Sequence, residues 1–333
     1  MHIFYDPEYL LHEQSGGHPE CPDRLRGIEG FLRTNGLWEL VRSPAVATVE
    51  DLSHVHGMNH IETIRNFGEG WYDMDTCVHP ITYDIALKAV GGAIEAAKAA
   101  LTGERSFAMV RPPGHHATRN RAMGFCYFNN VAVASAVLGK RSVILDIDVH
   151  HGNGTNDIFY SNPDVLYIST HQQGIFPGSG SANETGEGEG AGTTVNIPLS
   201  GGSGDSTFST AFDEIIDPII REFRPELFLV SIGGDSHYRD PLAYLTLSTK
   251  GYLSVAEHIF DLADELTNGG VAFALEGGYD IPALSETIGG IVAMSRGLEV
   301  ATQFNDARDQ HVHGMHDIEK VKKYQKEFWN LSG

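Results

Sequence analysis

The residues best able to do chemistry sit in one stretch, VILDIDVHHGNGT at positions 143–155 of the 333-residue sequence. It sets Asp146, Asp148, His150 and His151 directly after Val143, Ile144 and Leu145, with Ile147 between the two acids. The apolar run predicts a strand over 142–148, buried on both faces. A carboxylate at the end of such a strand is costly unless it is paired, protonated or bound to a metal. If the backbone stays extended, positions 146, 148 and 150 share one face, and Asp148 and His150 can grip one cation. A helix-capping aspartate beside two hydrogen-bonded core histidines would explain these residues singly, but not the rest of the chain.

Three other apolar runs also end in reactive residues. Ser106–Val110 predicts a strand that Pro112 and Pro113 cut off, leaving His115 and His116 on a loop just past it. Leu227–Ile232 is followed by Gly233, Gly234 and Asp235, and Val271–Leu275 by Gly277, Gly278 and Tyr279. Short strands are expected at His2–Tyr5 and Val165–Ser169. Helical spacing marks 24–35, 82–101 (with Gly91–Gly92 allowing close packing), 129–138, 207–223, 250–267 and 283–297, and a helical turn marks 153–160. Strands alternating with helices predict an α/β fold with a mainly parallel sheet. In such sheets ligands bind beyond the carboxyl ends of the strands, so four strands deliver side chains to one edge. Asp148, His150 and Asp235 make an open three-ligand site suited to zinc, or to iron(II) or another first-row metal. His115 and His116 then serve as an acid–base pair, and Tyr279 can stabilise an oxyanion.

Composition narrows the function. A formal net charge of −21 argues against direct nucleic-acid binding, which needs a basic footprint, and suits a cationic partner. Cys21, Cys77 and Cys126 show no CxxC spacing and fit a reducing cytoplasm. No signal peptide and no stretch of about 18 apolar residues is found, so no membrane association is expected. The Gly-rich acidic loop at 178–193 matches no phosphate-binding pattern. His54, His56 and His60 are spaced poorly for one metal and read as surface or loop-lining residues, with His56 the one to watch. With no repeat or linker, the chain reads as one catalytic domain over 1–300. A helical extension over 301–333 carries His311, His313 and His316, expected in solvent, and Trp329 within a Lys/Glu-rich helix.

The motifs PPGHHA, GFCYFNN, DIDVHHGNGT, DPL after Asp235, LEGGYD and HPECPDRL together resemble the zinc-dependent histone deacetylase superfamily. Its members include acetylpolyamine amidohydrolases and bacterial or archaeal deacetylase-like amidohydrolases. HHGNGT and EGGYD look closest to the class II branch, and the resemblance runs from about residue 2 to residue 297. It implies a single-domain arginase/deacetylase fold, with a parallel sheet of about eight strands between helical layers. It also implies a metal-dependent deacetylase that releases acetate from acetylated peptide or protein lysine, or from acetylated small amines.

Carried onto this sequence, the resemblance assigns zinc to Asp148, His150 and Asp235. His116 becomes the general base and His115 its electrostatic partner, oriented by Asn153 and Asp146 respectively. Tyr279 becomes the oxyanion donor. A structural monovalent cation, K+, falls to oxygens of Asp146, Asp148, His150, Ser169 and Thr170. Phe125 and Phe176 wall an acyl-lysine tunnel, with Gly124 and Gly278 on its substrate-binding surface. Two departures stand out. Asn153 replaces a frequent Asp, and GGDSH replaces GFDAH, so Gly234 predicts a wider or looser wall behind the metal. Residues 67–81 leave little room for the insertion that acetylpolyamine enzymes carry, which tilts the reading towards an open mouth where Asp73 or Asp75 could clamp a substrate backbone. Two other classes stay open: a non-catalytic acyl-lysine binder, against which Tyr279 argues, and an arginase-like ureohydrolase, which needs aspartates bridging two metals. The oligomeric state, a homo-oligomer included, is left open.

Overall fold

In the computed structural model the stretch around Asp146 is a central strand. The structure describes residues 1–14, 16–306 and 311–331, with backbone alone at 311–313. The strands are β1 (His2–Phe4), β2 (Val41–Arg42), β3 (Gly70–Trp71), β4 (Cys77–Val78), β5 (Arg105–Ala108), β6 (Ser142–Asp146), β7 (Val165–Gln172), β8 (Thr194–Leu199), β9 (Leu227–Ile232) and β10 (Val271–Leu275). The helices are α1 (Asp23–Thr34), α2 (Val49–Ser53), α3 (Met58–Asn66), α4 (Thr82–Leu101), α5 (Asn130–Leu138), α6 (Asn153–Phe159), α7 (Asp205–Ala211), α8 (Asp217–Phe223), α9 (Thr249–Leu266), α10 (Ile281–Met294) and α11 (His311–Gln325).

Eight strands form one parallel sheet in the order β2-β1-β5-β10-β9-β6-β7-β8, flanked by helices. β5, β10, β9 and β6, the four strands expected to deliver chemistry, are consecutive neighbours. Every residue of β6, β9 and β10 is buried, as a central parallel strand requires. The helix α4 packs against α5 and over β5, β10 and β9. Gly91 lets the loop between β2 and α2 lie directly on this helix: a Cβ there would be 1.9 Å from the Ala45 carbonyl oxygen.

Several details differ from the sequence reading. β6 stops at Asp146, and residues 148–150 bend, so strand alternation does not bring Asp148 and His150 together. The span 207–223 divides into α7, a π-helical turn over Phe212–Ile216, and α8. β8 was not anticipated: its sequence, TVNIPL, contains an asparagine and a proline, and proline is confined to sheet edges, which is where this strand lies. His56 and His60 are buried rather than at the surface. His56 Nδ1 is 3.0 Å from the Thr118 carbonyl and its Nε2 accepts from Asn129 N at 2.9 Å, while His60 Nε2 bonds to the Tyr127 carbonyl at 2.8 Å. Both histidines brace the loop that bears His115, His116 and Phe125. Among the described residues no helix is long and apolar enough to cross a membrane.

The part of the expected extension over 314–331 packs on the outer edge of the sheet, whereas Gln303 and Phe304 bond to Glu286 of α10 and Thr249 of α9. Gln325 Nε2 donates to the Thr194 carbonyl at 3.1 Å, Trp329 Nε1 to the Gly192 carbonyl at 2.9 Å, and Ser200 N to Asp317 Oδ2 at 2.7 Å. These bonds satisfy backbone groups at and around an edge strand that otherwise invites pairing with another chain. Trp329 lies just beyond α11 rather than in it, against Phe223. His316 is exposed as expected, whereas the side chains of His311 and His313 lie outside the described residues. Removing residues 301–333 should therefore lower the thermal midpoint and produce concentration-dependent association in light scattering. Ile318→Ala, at a fully buried position, should cost about 2–5 kcal/mol in denaturant unfolding. An unchanged midpoint with a monodisperse truncated chain would refute a role for this segment in covering the edge.

Candidate active site

At the carboxyl end of β6 the chain turns on its own carboxylates. Asp146 Oδ1 accepts from Asp148 N at 3.2 Å, and Asp148 Oδ1 from His150 N at 2.9 Å. Such Asx turns replace the strand alternation and aim both side chains at Asp235, which follows β9. His150 Nδ1 is 3.2 Å from Asp148 Oδ1 and 3.2 Å from Asp235 Oδ2. Ligand atoms of all three residues lie within 4.8 Å of one another, the sole such group among the described residues. An arginase-like pair of metals therefore has no second set of ligands among them.

The three residues fit a divalent cation. Two ligands about 2.0 Å from a tetrahedral ion stand about 3.3 Å apart, close to the separations seen. The outward oxygens are already occupied: Gly277 N donates to Asp148 Oδ2 at 2.8 Å and Val149 N to Asp235 Oδ1 at 3.0 Å. The inward Asp235 Oδ2 is buried with no aligned hydrogen-bond donor, a costly state that a cation relieves. Burial disfavours the His150 imidazolium, yet Asp148 and Asp235 outweigh it and hold its pKa at about 10. The pocket demands positive charge at this point.

The loop after β5 sets the two histidines 4.0 Å apart between ring centroids. His115 Nδ1 is 3.1 Å from Asp146 Oδ2, itself bonded by the Tyr167 hydroxyl at 3.0 Å. Burial opposes the His115 charge, but Asp148 and Asp146 raise its pKa to about 10. His116 is held well below the usual histidine range by burial, then by the charges of His115 and His150. Its Nδ1 lies 2.9 Å from Asn153 Oδ1. An amide oxygen can only accept, so Nδ1 carries the proton and Nε2 keeps its lone pair.

A cavity of about 230 Å³ opens from these groups to solvent. His115, His116 and His150 lie at its buried end, while Phe176 and Leu242, both 40% exposed, lie at its outer end. Phe125, Gly124 and Tyr279 line the wall between. Phe125 adopts φ +68°, a strained setting for a non-glycine residue that needs support from its surroundings. Its N–H is 3.3 Å from Thr76 Oγ1, and its ring stands edge-on to His18 and Tyr279. A larger cavity, about 640 Å³, lies at the amino ends of β6, β7 and β9 beside Lys140, Asp164 and Glu226. It holds none of the clustered groups, so the smaller cavity is the one with the chemistry.

Three expectations change. Gly277 rather than Gly278 lines the cavity; the Gly278 carbonyl instead accepts from buried Arg24 Nε at 2.7 Å. Gly234 leaves no slack, because Leu284 Cδ1 lies 2.7 Å from where its Cβ would be. Of the two mouth acids, Asp75 lines the cavity, whereas Asp73 accepts from the amides of Asp75 and Thr76. Ser169 pairs in register with Asp146, and the Thr170 hydroxyl is 3.5 Å from the Asp146 carbonyl. Two further buried acids, to which the sequence reading assigns no role, stand behind the site. Asp240, in the DPL motif, accepts from Tyr279 N at 2.7 Å and Leu242 N at 2.9 Å, and burial raises its pKa to about 7. Glu276, in LEGG, accepts from Gly114 N, and burial likewise raises its pKa to about 7. An acid directly after an apolar strand was the available signal for the latter.

A family model described as "Histone deacetylase domain" matches residues 18–294. The chain belongs to the histone deacetylase family. As a member of that family it is a hydrolytic deacetylase with the arginase/deacetylase fold. It is 39% identical over 351 residues to a "Probable deacetylase" of Archaeoglobus fulgidus, covering 98% of each chain. It is 37% identical to a "Histone deacetylase-like amidohydrolase" of Pseudomonas aeruginosa, covering 80% of this chain and 73% of that one. A solved structure described as "Crystal Structure of HDA15 HD domain" superposes with a TM-score of 0.90 at 34% identity, over 99% of this chain and 97% of that chain.

The deacetylase cluster tolerates no side chain on the turn above it. A Cβ at Gly277 would lie 2.2 Å from Asp235 Oδ2 and 2.7 Å from Asp148 Oδ2. Gly277→Ala should weaken divalent-cation binding by on the order of tenfold or more, read by metal content after dialysis against a graded chelator, with the far-ultraviolet dichroism unchanged. Wild-type retention of the ion would show that these three residues are not its ligands.

Proposed function

We propose that this deacetylase uses zinc, held by Asp148, His150 and Asp235, to remove acetyl groups from lysine side chains of peptides or proteins, releasing acetate. The observation that carries this reading is the neutral His116, with a free Nε2, sharing one blind cavity with the cation-demanding cluster and Tyr279. A bound zinc ion supplies polarisation of the acyl carbonyl and acidification of a water; iron(II) suits the same donors.

The side chains divide the remaining work. His116 Nε2 takes the proton of the attacking water and returns it to the leaving amine, a use that requires the neutral form at the outset. Asn153 fixes that tautomer without adding a charge. His115, kept protonated by Asp146, offsets the negative charge that builds beside it. The Tyr279 hydroxyl donates to the oxyanion of the tetrahedral intermediate; burial pushes its pKa up, so it stays protonated as a donor. Phe125 and Phe176 confine the alkyl chain of the substrate, and Asp75 at the mouth accepts from its backbone or attracts its cationic flank. A structural K+ is assigned to oxygens of Asp146, Asp148, His150, Ser169 and Thr170; the burial of all but His150 and the pairing of Ser169 with Asp146 support it. The acidic net charge supports a cationic substrate without direct nucleic-acid binding, and three cysteines free of disulfides support a reducing, cytoplasmic setting.

Purified protein should hydrolyse an acetyl-lysine peptide. Chelator should abolish the activity, zinc should restore it, and Asp235→Ala should lose both metal and turnover. Full metal occupancy in Asp235→Ala would sink the ligand assignment. A parallel series of acetylated polyamines decides the substrate: faster turnover of these than of peptides would replace the lysine reading.

Tyr279→Phe removes one hydroxyl and should leave the ring packed between Phe125 and Arg24. Loss of one oxyanion donor costs about 10²–10³ in kcat, and peptide affinity measured directly should change far less. Turnover near the wild-type rate would remove Tyr279 from the chemistry, and a parallel collapse of binding would make it a substrate-holding residue.

A further inference from the structure

The geometry points to Glu276 as a positioning residue for the histidine pair, its carboxylate clamping the backbone that carries His115 and His116. This rests on the hydrolytic reading above, and it concerns a residue that makes no contact with substrate.

Glu276 is fully buried just past β10, the strand paired on one side with β5 and on the other with β9. Its side chain reaches across both neighbours. Oε2 accepts from Gly114 N at 2.7 Å and His115 N at 3.1 Å, and Oε1 accepts from the Ser231 hydroxyl at 3.1 Å. Its own backbone is fixed as well: its N–H donates to the Ile232 carbonyl at 2.8 Å, and its carbonyl accepts from Arg24.

The loop needs this acceptor. β5 ends at Ala108, and Pro112 and Pro113 carry no N–H, so no strand ladder reaches Gly114 and His115. Their buried amides require a partner, and among the described residues no backbone carbonyl bonds to either. On the other side the His115 carbonyl accepts from the amides of Gly154 and Thr155, at 3.1 and 3.2 Å. His115 is thus held at its N–H from β10 and at its carbonyl from α6. A displacement of about 1 Å in a reacting group costs on the order of 10²-fold in rate. Without the clamp the loop is free to move by that much, carrying His116 Nε2 away from the water it must deprotonate.

Glu276 also brings a negative charge near His115, so reach and charge must be separated. Glu276→Gln keeps the reach without the charge: its carbonyl takes the place of Oε2, and its NH2 donates to Ser231 Oγ. Glu276→Asp keeps the charge but withdraws it by about 1.5 Å, one carbon–carbon bond. Steady-state kinetics on an acetyl-lysine peptide should give kcat within about threefold of wild type for Gln. For Asp, kcat should fall on the order of 10²-fold, with KM within about twofold and one metal ion per chain retained. Amide proton resonances of Gly114 and His115 should lie downfield in the wild type and in Gln, and move upfield in Asp. That spectrum reads the clamp even if the wild type hydrolyses no acyl-lysine, an outcome that would count against the proposed substrate alone. The inference is overturned if Asp matches the wild type in kcat and spectrum, if Gln falls as far as Asp, or if Asp loses its metal along with its activity.

Discussion

Two carboxylates and an imidazole buried against one another set the terms for the rest of this molecule. Removing one partner from such a buried set typically costs 3–5 kcal/mol, and an incompletely satisfied set would cost as much in the native chain. The surroundings are therefore built to satisfy it. Each aspartate spends its outward oxygen on a backbone N–H, from Gly277 or Val149, and turns the other towards His150. The donors can come that close only because the turns after β9 and β10 lack Cβ atoms: one on Gly233 would lie 2.1 Å from Asp148 Oδ2. Three neighbouring strands, β10, β9 and β6, must end level for these contacts to form together, so the register of the sheet and the geometry of the cluster are one constraint.

The same constraint divides two adjacent histidines into opposite roles. His115 and His116 are both buried, and burial alone would leave both neutral. Asp146 and Asp148 reverse this for His115, and the charge so placed then depresses His116 further. An aspartate at position 153 would pull His116 back towards the charged form; Asn153 holds the ring in the same place without doing so. Asn153 in place of the aspartate expected from the resemblance thus leaves His116 neutral, as the proposed general-base role requires.

The fold class and the residues of the cluster were legible because their signals are local. Apolar runs that end in Asp, His or Tyr reveal both a buried strand and the reactive end of it. Asp148 and His150 were linked for an incorrect reason, since the chain turns on side-chain hydrogen bonds rather than staying extended. β8 was missed because Asn196 and Pro198 disguise an edge strand. The roles of Glu276 and Asp240 were not legible because the amides they hold at the site, Gly114 N and Tyr279 N, are more than 35 residues away in sequence, a relation that no spacing rule encodes. The expected slack at Gly234 failed for a similar reason: the side chain that fills it, Leu284, belongs to a helix that begins after the next strand.

The cover on β8 has a consequence in time. The helix that lies along this edge follows its strand by roughly a hundred residues, and chains emerge during synthesis at about 5–20 residues per second. During that interval β9 and β10 emerge and take their places in the middle of the sheet, and from then until α11 follows, a few seconds on that scale, the last strand of a completed sheet has no lid. Pro198, which has no N–H to offer, and the acidic loop that precedes the strand are the features available during that interval to discourage a neighbour on the same message from pairing there.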